Sequence, residues 1–412
     1  MAPTIGPKRC VYAQRIGLAK LSKVAFDGGD LRPLWQELMA KVSAGKATAG
    51  EGLDLSVIAQ LLGDKDLGLE IQSQVLAQQQ LFRLPCASAT PRLRVLALAA
   101  AMDIGGNTPI EFLLEDLDID LMTLYIVPDI PLPAPLPDHD IAIVIASDSD
   151  ACHEAFGKIA QLSMAWPRPL LNAPDRIYNL DRDKLHRLLF GVPGLAIPAT
   201  ERVTRAQLAG IARSDGRLAD IAENLAFPII ARPTGSHAGL GLSQLGDLRA
   251  LEQYLCERPE PEFFVSQFID YANDDGLFRK YRISFIDGRP FAVHMAISDQ
   301  WSIWYLNAEM KGNTAKRAEE AEFMRTFDQG FAARHRGALS ELAARVALDY
   351  FTIDCAETKQ GELLVFEADN TSIVHNMDRP EIFPYKPPQM RMIFDAFAAM
   401  LVRHAGKRLA DA

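Results

Sequence analysis

Three acidic residues late in the chain have the spacing of a carboxylate cluster. Asp354 lies in a short apolar run (residues 350–355), and Glu367 and Asp369 lie at the end of the next run (residues 362–368). The two runs are typical of neighbouring β-strands joined by a turn. Residues i and i+2 of a strand share a face, so Glu367 and Asp369 are expected to point the same way and to meet Asp354 across the hairpin.

A cation is the simplest partner for such a cluster. Three carboxylates among apolar neighbours repel one another unless a positive charge neutralises them. Mg²⁺ suits the position because it takes carboxylate oxygens and keeps coordination positions for phosphate oxygens and water. The first hypothesis is therefore a nucleotide–metal site, which requires other elements of the chain to hold the nucleotide.

Composition limits the class of protein to which this site can belong. The chain has 412 residues, long enough for two or three domains, with 43 basic and 53 acidic side chains and a net charge of −10. This balance argues against broad nucleic-acid binding. The first residues lack the apolar core of a signal peptide, and no apolar run reaches membrane-spanning length. Five scattered cysteines indicate reduced thiols. We expect a cytoplasmic protein without a membrane partner; a homo-oligomer is left open.

The first half of the chain changes pattern near residues 85–91. Before this boundary, three-to-four-residue apolar spacing predicts helices at residues 31–42, 53–62 and 67–82. After it, buried-strand patterns at residues 93–101, 119–127 and 140–146 alternate with helical patterns at residues 108–115 and 151–164. Strands alternating with helices predict a parallel sheet covered on both faces.

A glycine turn follows the first of these strands. Gly105, Gly106, Asn107, Thr108 and Pro109 would open a helix whose first N–H groups could bind a substrate carboxylate or phosphate. The alternative is an ordinary glycine turn with an Asn/Thr cap. The turn is not a dinucleotide fingerprint, since it lacks the G-x-G-x-x-G spacing.

A glycine-rich hairpin lies in the middle of the chain. A β-type run at residues 227–231 leads into Arg232, a loop with Ser236, His237 and Gly239, and a second strand at residues 241–245. Such a loop can fold over phosphates and donate hydrogen bonds to them from its backbone N–H groups, and Arg232 would supply a positive charge. The alternative is a mobile surface turn. No Gly-Lys-Ser/Thr follows, so this is not a Walker A loop.

Two basic residues share one face of a later strand. Asp287-Gly288 is a strong hairpin signal between strands at residues 281–286 and 290–296. Lys280 and Arg282 lie two apart on the first strand. Inward-facing basic residues are costly unless anions meet them, whereas outward-facing ones simply contact water, and both interpretations stay open.

The ordered set of segments resembles the ATP-grasp superfamily, which includes glutathione synthetase and D-alanine–D-alanine ligase. LLNAPDRIYNLDRDKLHRLLF resembles the family's Asp-Lys helix, and FPIIARPTGSHAGLG resembles its phosphate-covering loop. FFVSQFI resembles the hinge strand whose backbone reads adenine. Asp354, Glu367 and Asp369 resemble the closing metal set. The resemblance implies an α/β (α+β) fold of four parts: an N-terminal helical region (residues 1–90), a Rossmann-like pre-ATP-grasp domain (91–175), ATP-grasp subdomain A with the glycine-rich hairpin (176–262) and subdomain B with the metal site (263–412).

The resemblance also implies a function and a role for particular residues. The function is an ATP-dependent carboxylate–amine ligase that uses a small-molecule carboxylate and an amine, forms an acyl phosphate and releases ADP and phosphate. Its metal, Mg²⁺ or alternatively Mn²⁺, would be held by Asp354, Glu367 and Asp369. The residues expected to bind ATP are Lys184, Arg232, Ser236, His237, Gly239, Gln267, Phe268 and Ile269. Arg282 is expected to stabilise the transferring phosphate, and the residues expected near the substrates are Asn107, Lys280 and His375.

Two departures from the family pattern leave alternatives open. Arg232 stands where the family usually has lysine, so a planar guanidinium with several N–H donors replaces the compact charge of an ammonium group. Asp369 stands where asparagine is usual, which adds negative charge and favours tighter metal binding or two ions. The alternatives to a ligase are an ATP-binding scaffold or sensor without turnover, and an ATP-grasp phosphotransferase that leaves phosphate on its acceptor.

Overall fold

The computed structural model describes residues 11–86, 88–149, 153–213, 217–223, 225–236 and 239–407. The chain divides into two compact units. The first unit extends to Ile177 and includes Leu348–Tyr350 and the chain from Asn370 onward. The second unit comprises Tyr178–Ala347 and Phe351–Asp369. Among the described helices, none is both long and apolar enough to cross a membrane.

The strands of the described chain are β1 (Ala13–Gln14), β2 (Leu81–Arg83), β3 (Leu93–Ala100), β4 (Ile119–Ile126), β5 (Ile141–Val144), β6 (Leu170–Leu171), β7 (Leu195–Ala196), β8 (Thr200–Thr204), β9 (Ile229–Pro233), β10 (Ser243–Leu245), β11 (Glu262–Gln267), β12 (Phe278–Ile286), β13 (Arg289–Ser298), β14 (Tyr350–Glu357) and β15 (Leu363–Asp369).

The α-helices of the described chain are α1 (Leu18–Phe26), α2 (Arg32–Ser43), α3 (Ala49–Leu61), α4 (Lys65–Leu76), α5 (Ile110–Leu113), α6 (His153–Ser163), α7 (Pro174–Ile177), α8 (Arg182–Leu189), α9 (Arg205–Arg213), α10 (Leu248–Glu257), α11 (Thr314–Arg325), α12 (Phe331–Arg334), α13 (Arg336–Val346) and α14 (Lys386–His404).

The first unit is built on a six-stranded sheet of order β1-β2-β4-β3-β5-β6. Its central strand β3 runs parallel to both β4 and β5, and β5 runs parallel to β6. Seven of the eight β3 residues are buried, which is the pattern of a strand covered on both faces. The expected parallel sheet is therefore confirmed for these strands, with β2 added antiparallel to β4.

Helices α2, α3 and α4 follow the predicted positions with one correction, whereas α1 lies where no helix was predicted. Helix α3 begins at a capping box in which Thr48 and Glu51 bond each other's backbone N–H groups, and nine of its residues are buried. The helix predicted for residues 67–82 is wrong in its last turn. Helix α4 ends at Leu76, and Leu81–Arg83 instead forms β2, because Leu81 pairs with Leu124 on β4. The spacing of apolar residues favours a helix for residues 81–83, but pairing with the distant strand β4 makes this segment a strand.

The second unit contains an antiparallel sheet of order β10-β9-β11-β8. Its apolar face packs with α9 and α10 around Val203, Leu208, Leu251, Phe263 and Val265, all of them buried. The glycine-rich hairpin corresponds to β9 and β10, paired from Ser243–Ala231 to Leu245–Ile229. Both strands begin two residues later than the sequence predicts.

A five-stranded sheet of order β13-β12-β14-β15-β7 completes the second unit. Asp287 and Gly288 have φ angles of 48° and 74° and join β12 to β13, as the Asp-Gly signal predicts. The rings of Phe285 and Phe351 stack with centroids 4.7 Å apart and tie β12 to β14. Parallel and antiparallel sheets with packed helices confirm the expected α/β (α+β) class.

Candidate active site

The three acids lie on the hairpin of β14 and β15. Asp354 is the direct cross-strand partner of Glu367, and Thr352 is the partner of Asp369. Directly paired residues project from the same face of a sheet, and Glu367 and Asp369 share that face through the two-residue period. The register shifts by one residue between Asp354 and Cys355. The structure thus places the three carboxylates that the sequence singled out on one face of this hairpin.

Two basic residues of β12 hold Asp354. The Arg282 guanidinium donates from Nε and one Nη to both carboxylate oxygens, at 2.7 and 3.0 Å. The Lys280 ammonium lies 2.7 Å from one of the same oxygens. Asp354 is 2% exposed, and burial alone would raise the pKa of its carboxyl, but the Arg282 and Lys280 charges outweigh burial and lower the pKa. Lys280 and Arg282 therefore face an anion rather than solvent, as one of the two interpretations of their spacing predicts.

Arg182 at the start of α8 holds the second acid. Its guanidinium donates to Glu367 Oε2. Burial would raise the pKa of Glu367, but the Arg182 charge overcomes burial and the repulsion from Asp354, and the pKa is lowered. Arg182 is not among the residues predicted from the sequence. Its position next to Asp183-Lys184 is the one sequence feature that could have indicated it. Charged residues on helices usually face solvent, so the residue type alone does not indicate a role.

Arg232 on β9 lies in the same charged surroundings. It donates from Nε to the Ser236 hydroxyl at 3.2 Å and from one Nη to the Ser236 carbonyl. Burial, together with repulsion from Arg182, lowers the pKa of the Arg232 guanidinium to about 10. The negative charge of Glu367 acts in the opposite direction and raises the pKa of Arg232. An arginine whose charged form is disfavoured in this way gains from binding an anion.

The glycine-rich loop after β9 requires left-handed backbone. Gly235, Gly239 and Gly241 have φ angles of 69°, 74° and 71°. A Cβ on Gly241 would lie 2.6 Å from Cδ of Pro233, whereas one on Gly239 would meet nothing within 4 Å. The Ser236 hydroxyl donates to the Pro233 carbonyl at 2.8 Å and anchors the start of the loop. His237, an expected ATP-binding residue, lies outside the described residues.

Lys184 on α8 contacts residues near the start of its own helix. Its ammonium lies 3.1 Å from an Asp181 carboxylate oxygen and 5.5 Å from the centre of the Tyr178 ring. Its side chain is more than one third exposed. Binding of ATP by Lys184 stays a prediction.

The expected adenine-reading strand is β11, which ends at Gln267 rather than at residue 269. The Gln267 amide accepts from the Ala226 N–H at 3.0 Å and donates to the Pro228 carbonyl at 3.1 Å. The Phe268 N–H also donates to Pro228, at 3.2 Å. Ile269 packs in a small apolar cluster around Tyr271. These bonds fix the exit from β11; the roles of Gln267, Phe268 and Ile269 towards a nucleotide stay predictions.

Two of the residues expected near the substrates, Asn107 and His375, belong to the first unit. The Asn107 amide accepts from the Ala100 N–H and donates to the Ala100 carbonyl, both at 2.9 Å. The His375 ring lies 5.6 Å from Phe26 and 6.2 Å from Phe112, and its Nδ1 accepts from the Met377 N–H at 3.1 Å. These contacts give both residues a structural role, and substrate binding by either stays a prediction.

The charges around the acids suit a metal-bound polyphosphate. The described side chains of this cluster carry four positive and three negative charges, a net charge of +1: Arg182, Arg232, Lys280 and Arg282 against Asp354, Glu367 and Asp369. Mg²⁺ alone would raise this to +3, whereas ATP⁴⁻ with one Mg²⁺ would bring it to −1. The donor set fits Mg²⁺ together with phosphate, because all three acids offer carboxylate oxygens and the four basic side chains would balance the phosphate charge.

Comparisons with known proteins give matches among solved structures but none among family models or curated proteins. No family model matches the chain, and no curated protein matches it. Among solved structures, the chain is similar to a RimK-domain ATP-grasp protein of Sphaerobacter thermophilus, at 17% identity over 74% of this chain and 99% of that one, with a TM-score of 0.43. It is also similar to a D-alanine–D-alanine ligase of Bacillus anthracis, at 12% identity over 76% and 99%, with a TM-score of 0.46. A third match is the VanG D-Ala:D-Ser ligase of Enterococcus faecalis, at 11% identity over 76% and 100%, with a TM-score of 0.44.

Proposed function

We propose that this chain, whose sequence and fold resemble those of ATP-grasp proteins, is an ATP-dependent ligase that joins a carboxylate to an amine. The observation that carries the proposal is the pairing of Asp354 with Glu367 across one hairpin, with each acid held by basic side chains. Together with the glycine loop beyond Arg232, this cluster supplies the cations, metal ligands and backbone donors that phosphoryl transfer requires.

The first step is transfer of the γ-phosphoryl group of ATP to a substrate carboxylate oxygen. The bond between the γ-phosphorus and its bridging oxygen breaks, ADP leaves, and an acyl phosphate forms. Asp354, Glu367 and Asp369 would hold Mg²⁺ or Mn²⁺, which neutralises charge on the phosphate oxygens. Arg232 and Arg182 would contact phosphate oxygens, and Arg282 and Lys280 would stabilise negative charge in the transition state.

The second step is attack of the amine on the acyl carbon. The amine loses a proton, an amide bond forms, and inorganic phosphate leaves. Water competes with the amine for the acyl phosphate, so the site must exclude it. The loop from Gly235 to Gly241, with Ser236 and Gly239 in it, would close over the phosphates. Lys184 is proposed as a further phosphate contact, and the segment from Gln267 to Ile269 as the adenine contact.

The function is tested by measuring ADP release with pairs of carboxylates and amines, amino acids included, in the presence of Mg²⁺. The product is then weighed by mass spectrometry. A ligase product has the summed mass of its two substrates less one water. A product heavier by one phosphate group would instead indicate a phosphotransferase, and ATP binding without turnover across the panel would indicate a scaffold.

A matched pair of variants separates the metal site from general damage to the fold. Glu367→Gln removes one proposed metal ligand and is expected to lower ADP release by at least about 100-fold, because a transition-state charge loses its compensation. Glu362→Gln makes the same change immediately before β15 and is expected to leave ADP release unaltered. Full ADP release by Glu367→Gln would show that the metal assignment is wrong.

A further inference from the structure

One tyrosine of the second unit holds the far end of the glycine-rich loop. The Tyr254 hydroxyl donates a buried hydrogen bond to the Gly241 carbonyl at 2.8 Å. Tyr254 lies on α10, a helix whose first turn is capped by the Asp247 carboxylate accepting from the Ala250 N–H. The residue is 4% exposed, and its ring packs edge-on against Phe263 of β11 with the centroids 5.6 Å apart. A side chain fixed by packing in this way can act as an anchor.

The loop is therefore held at two points. At its start, the Ser236 hydroxyl donates to the Pro233 carbonyl at 2.8 Å. At its end, the Gly241 carbonyl is held by α10. Between these anchors Leu240 is 68% exposed, and a Cβ on Gly239 would meet no described atom within 4 Å. Residues with so few packing contacts move at low cost, so closure of the loop would displace Gly239 and Leu240 relative to its fixed ends.

The Tyr254 hydroxyl stays a hydrogen-bond donor throughout the physiological pH range. Burial raises the pKa of Tyr254 to about 12, and the charge of Glu260 acts in the same direction, whereas the charges of Arg258 and Arg232 oppose the rise. The hydroxyl that holds the end of the loop is therefore within electrostatic range of Arg232, the arginine proposed to contact phosphate. The anchor and the phosphate contact thus belong to one region of the second unit.

We propose that Tyr254 is a positioning residue that fixes the hinge of the glycine-rich loop at Gly241. The hydrogen bond joins two parts of the protein and needs no nucleotide, so this end of the loop is ordered before phosphate arrives and closure costs less conformational entropy. Without the bond, phosphate contacts must order more of the chain, so phosphate is held less tightly and water enters more readily. The inference rests on the proposed function and adds to it a residue that acts only through the loop.

The proposal is tested by isothermal titration calorimetry of Tyr254→Phe with ATP and with AMP, both in the presence of Mg²⁺. The variant keeps the ring that packs against Phe263 and removes only the hydroxyl. We expect ATP to bind about three- to tenfold more weakly, the range for loss of one hydrogen bond, and AMP to bind as it does to the unaltered protein. AMP lacks the β- and γ-phosphates, so general damage to the site would weaken both nucleotides. Unaltered ATP affinity, or equal losses for ATP and AMP, would overturn the proposal.

Tyr281→Phe is the matched control. It also removes the hydroxyl of a buried tyrosine in the second unit, but Tyr281 packs against Phe323 and Phe331, and its hydroxyl donates to Glu357 at 3.5 Å. This variant is expected to leave both nucleotide affinities unaltered. A second measurement is the amount of amide formed per ADP released. This ratio is expected to fall in Tyr254→Phe alone, because water reaches the acyl phosphate more readily.

The same experiments separate this inference from the ligase function. ATP binding without amide formation by the unaltered protein would overturn the ligase proposal, while the ATP and AMP affinities of Tyr254→Phe would still decide the role of Tyr254. Full amide yield together with unaltered ATP affinity in Tyr254→Phe would overturn only the role of Tyr254. Absence of ATP binding by the unaltered protein would overturn both.

Discussion

Asp354 and Glu367 face each other as direct partners across one antiparallel hairpin, and a different arginine holds each of them. Two carboxylates in this position repel each other, so the basic residues around them are needed for folding as well as for any chemistry. Because Arg282 comes from β12 and Arg182 from α8, the pair couples the hairpin to two other elements of the second unit.

Asp354→Asn is expected to destabilise the protein. The change leaves Arg282 and Lys280 largely buried without their counter-charge, which typically costs about 3 kcal/mol or more of the free energy of unfolding. Urea denaturation measures the loss. Asp275→Asn is the control, since the exposed Asp275 pairs with Arg279, which keeps Glu319 as a second partner, and its loss is expected to have little effect. Equal midpoints for the two variants would contradict the role given to Asp354.

Arg182→Met is expected to weaken ATP binding more than Lys184→Met. Arg182 already contacts Glu367, and its charge lowers the pKa of Arg232. Lys184, in contrast, must exchange its contact with Asp181 for a contact with phosphate. We expect Arg182→Met to raise the KM for ATP about tenfold or more, since a charge-assisted phosphate contact is lost. Steady-state kinetics of both variants measure the difference, and a larger effect from Lys184→Met would reverse the order proposed here.

Gly241→Ala is expected to be more damaging than Gly239→Ala, although both glycines have left-handed φ angles. Alanine in this conformation costs about 1 kcal/mol at either position. At Gly241 the added Cβ would also overlap the ring of Pro233, so we expect a total loss of about 3 kcal/mol. Urea denaturation of the two variants compares these losses. Similar losses would show that the overlap is relieved by movement of the loop.

The stability of the protein is expected to fall as pH drops below about 6.5, in part through His139. Burial and the charge of Arg168 lower the pKa of His139 despite a hydrogen bond to the Pro137 carbonyl. Nε2 accepts from the Trp166 N–H at 3.2 Å, an arrangement that suits neutral imidazole. The unfolded chain therefore binds a proton first as pH falls, which favours unfolding.

The variant His139→Gln isolates this contribution. Unfolding free energies of both proteins are measured at pH 7.5 and pH 5, and the variant is expected to lose less stability between the two values. All other ionisable groups are common to both proteins, so only the difference between the two slopes reports on His139. Parallel slopes would show that His139 takes up its proton equally well in the folded state.

Local sequence signals predicted the hairpins and several helices of this fold well. Asp287-Gly288 gave the turn, and the alternation around Asp354 and Glu367 gave two strands whose acids share a face. The conformation of residues 81–83 could not be predicted in this way, because it depends on pairing with β4. Arg182 was missed for a similar reason. A charged residue on a short helix carries no local sign that an acid of a distant strand lies opposite it.

The shifted register next to Asp354 has a consequence for how this hairpin tolerates insertion and deletion. Cys355 pairs with Val365, yet Asp354 pairs with Glu367, so Phe366 is an extra residue on β15. A regular ladder that kept Phe366 would pair Asp354 with Phe366, and the two acids would then project from opposite faces of the sheet. Deleting Phe366 would therefore leave Asp354 opposite Glu367 in a regular ladder, whereas adding a residue here would require a larger bulge to keep the two acids paired. A homologous chain with one residue fewer at this point can keep the paired arrangement without the bulge.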